Sequence, residues 1–283
     1  MTKGVLYVVA TPIGNLEDFS PRAVDTLRRV DLIAAEDTRH TRPLLIHYAI
    51  ETPMRPLHEH NERAQLARML AFLDEGKSLA LVSDAGTPLI SDPGFPLVRE
   101  AVAAGFSVVP IPGPSALTCA LSAAGLATDR FLFAGFPPRN GAQRRQWFAE
   151  LAEERATLVF YESGHRIQAS LDDMAASFGV AREGVIAREL TKLYETFLRG
   201  SLGRLIECVA QDEHQRKGEF VLLLAGAPPA PSEEKVTIDI EMLLLRLMQE
   251  MPLKRAVSLV AELTGGKKNR IYDQALKLKQ TEG

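Results

Sequence analysis

Cysteine is scarce in this chain. Only Cys119 and Cys208 occur among 283 residues. They stand far apart, each in an apolar helical pattern, so both read as buried free thiols and neither a disulfide nor a metal site is expected. An excess of positive charge is also missing: 33 Lys and Arg face 36 Asp and Glu, for a net charge of -3. A surface coated in positive charge is excluded, and any contact with nucleic acid has to come from local patches. No long apolar run is present, and Met1-Thr2-Lys3-Gly4 leads straight into a strand-like segment. Neither a membrane span nor a leader is expected, and the expected location is cytoplasmic. Two phosphate-binding signatures are absent as well. The first loop has one glycine where G-x-G-x-x-G needs three, and G-x-x-x-x-G-K-[ST] occurs nowhere. Dinucleotides and nucleoside triphosphates lose their usual support.

What is present is enough apolar residue, 46% of the chain, to build two domains and an appendage. Apolar runs at 5–10, 31–35, 78–82 and 106–111 alternate with helical patterns, which predicts a parallel sheet. Ser20-Pro21 reads as N-cap and first position of a helix, and Asn61 as the cap of a helix over 62–74. The longest loop, Ser83 to Gly94, follows one of these strands and holds two Gly, two Pro, two Ser, one Thr and two Asp. A plain strand-to-helix connection needs only a few residues. Loops at the carboxyl ends of strands are where open α/β sheets bind ligands. Loops 11–18 and 112–116 leave the same sheet edge, so three loops converge. Glu36-Asp37-Thr38-Arg39-His40-Thr41-Arg42 ends another strand there. It fits a substrate site and also a solvated helix start, where acidic residues favour the dipole. His58 and His60 lack further ligands at a recognisable spacing.

The second half changes character. Strand patterns at 130–136, 157–161 and 220–225 accompany a hairpin pattern over 184–189 and 193–199, which predicts a mixed sheet. Arg144 and Arg145 follow a basic turn that can touch phosphate. Ala227 to Glu234 has the composition of a linker. Three short helical patterns follow at 238–250, 253–264 and 267–279, with Lys267, Lys268 and Arg270 among many basic residues. This module fits a nucleic-acid contact and also a packing cap. The expected division is 1–115, 116–226, a linker over 227–237, and 238–283.

Taken together, Thr11 to Leu16, Ala35 to Arg39, Ser83 to Gly94, Pro112 to Ala116, Tyr161 to Ser163 with His165-Arg166, and Arg188 to Lys192 resemble the tetrapyrrole methylase superfamily of class III adenosylmethionine-dependent methyltransferases. The resemblance is closest to its small-subunit ribosomal RNA branch. Members acting on tetrapyrroles carry a G-P-G-D core in the first loop, which Gly14-Asn15-Leu16-Glu17-Asp18 does not reproduce. The resemblance implies a two-domain α/β fold with S-adenosylmethionine in the cleft, no metal, and a homodimer. It implies 2'-O-methylation of a cytidine ribose in the decoding region of 16S ribosomal RNA, on the free RNA or the 30S subunit. Methylation of a tetrapyrrole precursor and non-catalytic binding of adenosylmethionine and RNA are the alternatives. Carried over by position, cofactor contacts fall at Pro12, Asp84, Thr87, Ser115, Ala116, Tyr161 and Ala225. Glu36, Asp37 and Glu189 become candidate bases. Arg39, Arg188 and Lys192 become cations that grip RNA phosphate or acidify the hydroxyl. Arg144, Arg145, Lys267, Lys268 and Arg270 become RNA contacts.

Overall fold

The computed structural model describes residues 3–58, 60–229 and 239–281. They form two compact units, Met1–Pro228 and Pro229–Gly283. In the first unit, β1 (Val5–Val9), β2 (Leu32–Ala35), β3 (Met54–Pro56), β4 (Leu79–Val82) and β5 (Ser107–Ile111) make a sheet in the order β3-β2-β4-β1-β5. All its pairings are parallel. β2 and β4 are buried along their whole length, as strands covered by helices on both faces must be. Side chains alternate between faces: Ile33, Ala35, Ala80 and Val82 enter one core cluster, and Leu32, Ala34, Leu79 and Leu81 enter the other. The covering helices are α1 (Pro21–Arg29), α2 (Thr38–His47), α3 (Glu62–Asp74) and α4 (Phe95–Ala103). Ser20 Oγ accepts from Ala23 N–H and Pro21 opens α1, as expected. Asn61 stands at the start of α3 but makes no cap bond. Its Oδ1 instead accepts from His58 N–H at 2.9 Å, which folds the preceding turn.

The second sheet is mixed, as expected. β6 (Phe131–Gly135) and β7 (Thr157–Ser163) run parallel, while β8 (Glu183–Arg188), β9 (Thr196–Ser201) and β10 (Glu219–Leu224) complete the order β6-β7-β10-β8-β9 with antiparallel pairings. β9 starts at Thr196 rather than 193, because Leu193 and Tyr194 form an exposed turn before it. Helix α5 (Ala116–Ala124) packs Leu117, Ala120 and Leu121 on Val159, Val185 and Val221. Helices α6 (Gly141–Glu150), α7 (Ile167–Phe178) and α8 (Leu202–Gln211) cover the other face around Phe148 and Phe160. Cys119 and Cys208 are free thiols, half-buried rather than buried.

In the second unit, α9 (Ile240–Glu250), α10 (Leu253–Thr264) and α11 (Lys268–Thr281) close on Leu244, Val257, Val260, Ile271 and Ala275. Gly265 ends α10 in the left-handed conformation, φ 67°, where a side chain would be strained. Most of the expected linker, and Ile238, lie outside the described residues. Among the described residues no helix is long and apolar enough to cross a membrane.

Candidate active site

The carboxyl ends of β1, β4 and β5 release three loops that are stitched to one another. Thr11 and Gly86 exchange backbone hydrogen bonds at 2.9 and 3.0 Å. Thr11 Oγ1 donates to Ser83 O at 3.3 Å, and Thr87 Oγ1 donates to Pro114 O at 3.0 Å. Gly86 adopts φ 81°, and a Cβ there would meet Ile13 Cγ2 at 3.3 Å, so the crossing requires glycine. A cavity of about 380 Å³ opens beside the crossing. One wall carries Ile13, Glu36, Asp84, Gly86, Thr87, Asp92, Ser115 and Ala116. The other, from the mixed sheet, carries Phe136, Tyr161, Glu162, Ala187, Leu190, Glu219 and Phe220. Four non-glycine residues with positive φ flank it: Leu89, Ser91, Glu189 and Thr191. Backbone strain of this kind persists where surrounding structure over-determines it, and it clusters at functional sites.

The first wall is acidic. Asp84 accepts from Asp37 N–H at 3.0 Å through Oδ1, and its Oδ2 lies 2.8 Å from His40 Nδ1. Asp84 N–H donates to Glu36 Oε2 at 3.2 Å. Burial pushes the Glu36 carboxyl up, with Asp84 and Asp37 adding repulsion against the Asp84 N–H bond. Burial also pushes Asp92 up to about 6, reinforced by the charges of Glu36 and Asp84 and opposed by a hydrogen bond from Ser83. The hydrogen bond and charge of Asp84 raise the His40 imidazole. Half-buried Asp37 differs: hydrogen bonds from the Arg39 side chain and backbone hold it well below the usual carboxylate range.

The second wall is self-paired. Glu162 is buried and meets Arg166 at 3.2 Å, Ser163 N–H at 2.8 Å and the Ser170 hydroxyl. Arg188, also buried, donates to Lys217 O at 2.7 Å and Tyr194 O at 3.2 Å. Glu189 accepts from Glu219 N–H at 2.9 Å and from Lys192 Nζ at 3.0 Å. Burial alone would raise Glu189, but these two donors together hold it below its ordinary value. Lys192 also meets Glu219 at 2.7 Å. Tyr161 caps the helix packed on its own sheet: its hydroxyl accepts from Leu117 N–H at 3.2 Å, taking the capping place at α5 that Ser115 leaves open.

Of the residues singled out in the sequence, Glu36, Asp84, Thr87, Ser115, Ala116 and Tyr161 line the cavity. Pro12 does not, although its neighbour Ile13 does. Ala225 lies elsewhere. β10 runs antiparallel to β7 and β8, so its first residues, Glu219 to Val221, stand at the cavity, while Ala225 follows its far end and donates to Glu183 O. Arg188 is a structural clamp on backbone carbonyls rather than a free cation. Asp37, Arg39, Glu189 and Lys192 are not among the lining residues, and each is in an ion pair. Arg144 is not an RNA contact: it is buried, and its guanidinium grips Asp173 at 2.6 Å. Arg145, next along α6, is half-exposed on the other oxygen of the same carboxylate. Lys267, Lys268 and Arg270 are exposed at the start of α11. Asp92, Phe136, Glu162 and Glu219 line the cavity without having been singled out. The paired aspartates of loop 83–94 were a signal for Asp92, and Tyr161-Glu162-Ser163 for Glu162. Among the described residues no group of three or more His, Cys, Asp or Glu could hold a metal ion.

Comparison with known proteins follows this geometry. Residues 5–206 match the model of the Tetrapyrrole (Corrin/Porphyrin) Methylases. Residues 234–279 match that of the RsmI C-terminal HTH domain. The chain is 52% identical over 276 residues to ribosomal RNA small subunit methyltransferase I of Pseudomonas aeruginosa, covering 98% of each. It is 50% identical to the protein of that name from Escherichia coli O157:H7, covering 97% of this chain and 96% of the relative. The chain belongs to the ribosomal RNA small subunit methyltransferase I family, within the tetrapyrrole methylases. Solved structures of this fold include uroporphyrin-III-C-methyltransferase from Thermus thermophilus, with TM-score 0.57, 19% identity and coverage of 79% and 94%. Diphthine synthase superposes with TM-score 0.59 at 14% identity, covering 78% and 89%. At such identities the likeness is one of fold.

Proposed function

We propose that this family member is an adenosylmethionine-dependent RNA methyltransferase that modifies the 2'-hydroxyl of a cytidine ribose in the decoding region of 16S ribosomal RNA, acting in the cytoplasm on the RNA or the 30S subunit. The observation that carries the reading is the cavity, where three strand-end loops with an acidic edge meet an apolar wall, in a chain with full-length relatives of that name. The cavity suits the methyl donor. Ile13, Ala116, Leu190 and Phe220 offer apolar surface for a nucleoside, and Asp84 and Glu36 offer negative charge for a sulfonium. When bound, the donor supplies an electrophilic methyl group that leaves a neutral thioether. The residues named as its holders are Asp84, Thr87, Ser115, Ala116 and Tyr161. Both domains, 1–115 and 116–226, then contribute to the cavity.

The protein's own part is alignment and proton transfer. Holding hydroxyl, methyl and sulfur in line can supply roughly 7–11 kcal/mol. A ribose hydroxyl attacks better as its proton leaves, and a positioned base contributes about 10²–10⁴-fold when its pKa lies near the working pH. Asp92 and Glu36 meet that condition better than Asp37 or Glu189, because burial raises the first two while donors hold the last two low. Asp92 is therefore assigned as proton acceptor, with Glu36 and Asp84 keeping its pKa high. A homodimer and RNA contacts from Arg145, Lys267, Lys268 and Arg270 complete the proposal. Ribose methylation mapped in small-subunit RNA from cells lacking the protein tests it. The cytidine mark is expected to disappear, and to return with wild type but not with Asp84→Ala. Its persistence in the deleted strain would refute the reading.

A further inference from the structure

β6 ends irregularly. Its register against β7 shifts between Phe133 and Gly135, and Gly135 adopts φ 75°. Bulges of this kind re-aim side chains and occur beside active sites. Here the bulge delivers Phe136, 54% exposed, to the cavity rim, edge-on to Tyr161 at 5.5 Å between ring centroids. The next turn is clamped from below. Arg166 Nη2 donates to Pro137 O at 2.5 Å and Pro138 O at 3.4 Å, and Arg166 is held by the buried Glu162 carboxylate. A large apolar ring is thus kept half in solvent by a bulge, two prolines and a buried ion pair. Ordinary packing needs none of these. Three residues on, the exposed Arg139 guanidinium makes no hydrogen bond or ion pair among the described residues, and half-exposed Arg145 follows on α6.

We infer that Phe136 is a stacking platform for an unpaired nucleobase of the RNA substrate, with Arg139 beside it for phosphate. The inference rests on the RNA reading above and names how that site recognises its substrate. Proteins that read unpaired nucleotides stack bases on aromatic rings and set cations on the backbone. A small donor is enclosed by the cavity, whereas a macromolecule meets its rim, where Phe136 stands. The pairing of Glu162 with Arg166 is positioning machinery for that ring.

The test uses full-length protein and small ribosomal subunits from cells lacking it. Stacking on one base is lost in Phe136→Ala and in Phe136→Leu, which keeps apolar bulk but has no ring face. Both are expected to raise KM for subunits by about 5- to 100-fold. Affinity for adenosylmethionine, measured by calorimetry, is expected to stay within about twofold, and Phe136→Trp to stay near wild type. Filter retention of subunits by protein loaded with the donor reads the same contact without turnover. A wild-type protein that binds but does not methylate would refute the RNA methylation reading, while the variant affinities would still decide this one. Wild-type KM and retention in Phe136→Leu would overturn the inference, because apolar bulk would then suffice. So would donor affinity falling as far as subunit affinity in Phe136→Ala. A wild type that does not retain subunits would overturn both readings.

Discussion

The two walls of the cavity use the same residue types to opposite ends. On the parallel-sheet wall, backbone hydrogen bonds and threonine hydroxyls do most of the stitching; Asp84 and Glu36 bond to neighbouring amides and His40 but to no Arg or Lys, so Glu36, Asp84 and Asp92 are left crowded, and burial raises Glu36 and Asp92. On the mixed-sheet wall, the ionic groups do the stitching themselves: Arg188 on carbonyls, Glu162 on Arg166, Glu189 on Lys192. Charge engaged in holding a loop is settled in one protonation state. Charge without a cationic partner can respond to a substrate. The contrast explains how two acidic clusters of similar composition come to differ chemically.

Removing the Asp92 carboxylate should break the contrast most sharply. Asp92→Asn is expected to lower kcat by about 10²–10⁴-fold with little change in donor affinity. In wild type, kcat should rise with pH through about 6 and then level off, as the base loses its proton. The variant should lack that limb. Stability should move the other way. An acid whose folded pKa is raised contributes stability that is fully present below its unfolded value, near 3.8, and lost as pH rises through about 6. Asp92→Asn should therefore melt higher than wild type at pH 7, with the gain vanishing below pH 4. An Asn variant no more stable at pH 7 would show that the carboxyl is not crowded.

Next in size is Arg144→Met. It leaves buried Asp173 with half-exposed Arg145 as its remaining cation and should cost about 3 kcal/mol in denaturant unfolding, the low end for a broken buried pair, with an unchanged salt dependence of subunit binding. Arg188→Met leaves two carbonyls short of a donor and should cost about 1–3 kcal/mol. Hydrogen exchange should rise over 189–195, the turn that Arg188 ties down. A normal Tm in either variant would mean that the mixed-sheet half does not depend on its buried arginines. The smallest effect on the folded protein belongs to the second unit. Changing Lys267, Lys268 and Arg270 together to alanine should leave Tm unchanged, yet reduce the salt slope of RNA binding by up to about 2. An unchanged slope would make these residues plain surface.

The strands of the parallel sheet were legible because each is a continuous apolar run, and the loops after them followed. β3 was not, since Met54-Arg55-Pro56 is three residues long and has no apolar stretch. The mixed sheet was legible as a kind but not in direction. Composition does not say which end of β10 meets the cleft, and Ala225 was placed wrongly for that reason. Arg144 and Arg145 are neighbours in sequence, but successive helical positions point about 100° apart, so one is buried and the other is not. The β6 bulge that presents Phe136 has only Gly135 as its trace in the sequence.

The bond from Leu117 N–H to the Tyr161 hydroxyl joins a helix terminus to a strand of the mixed sheet. Tyr161 also lines the cavity, so a guest that displaces its ring uncaps the first turn of α5, and the two become one event. The amide of Leu117 is then a built-in reporter: its exchange with solvent should quicken when the ring swings away and slow once a guest pins the ring in place.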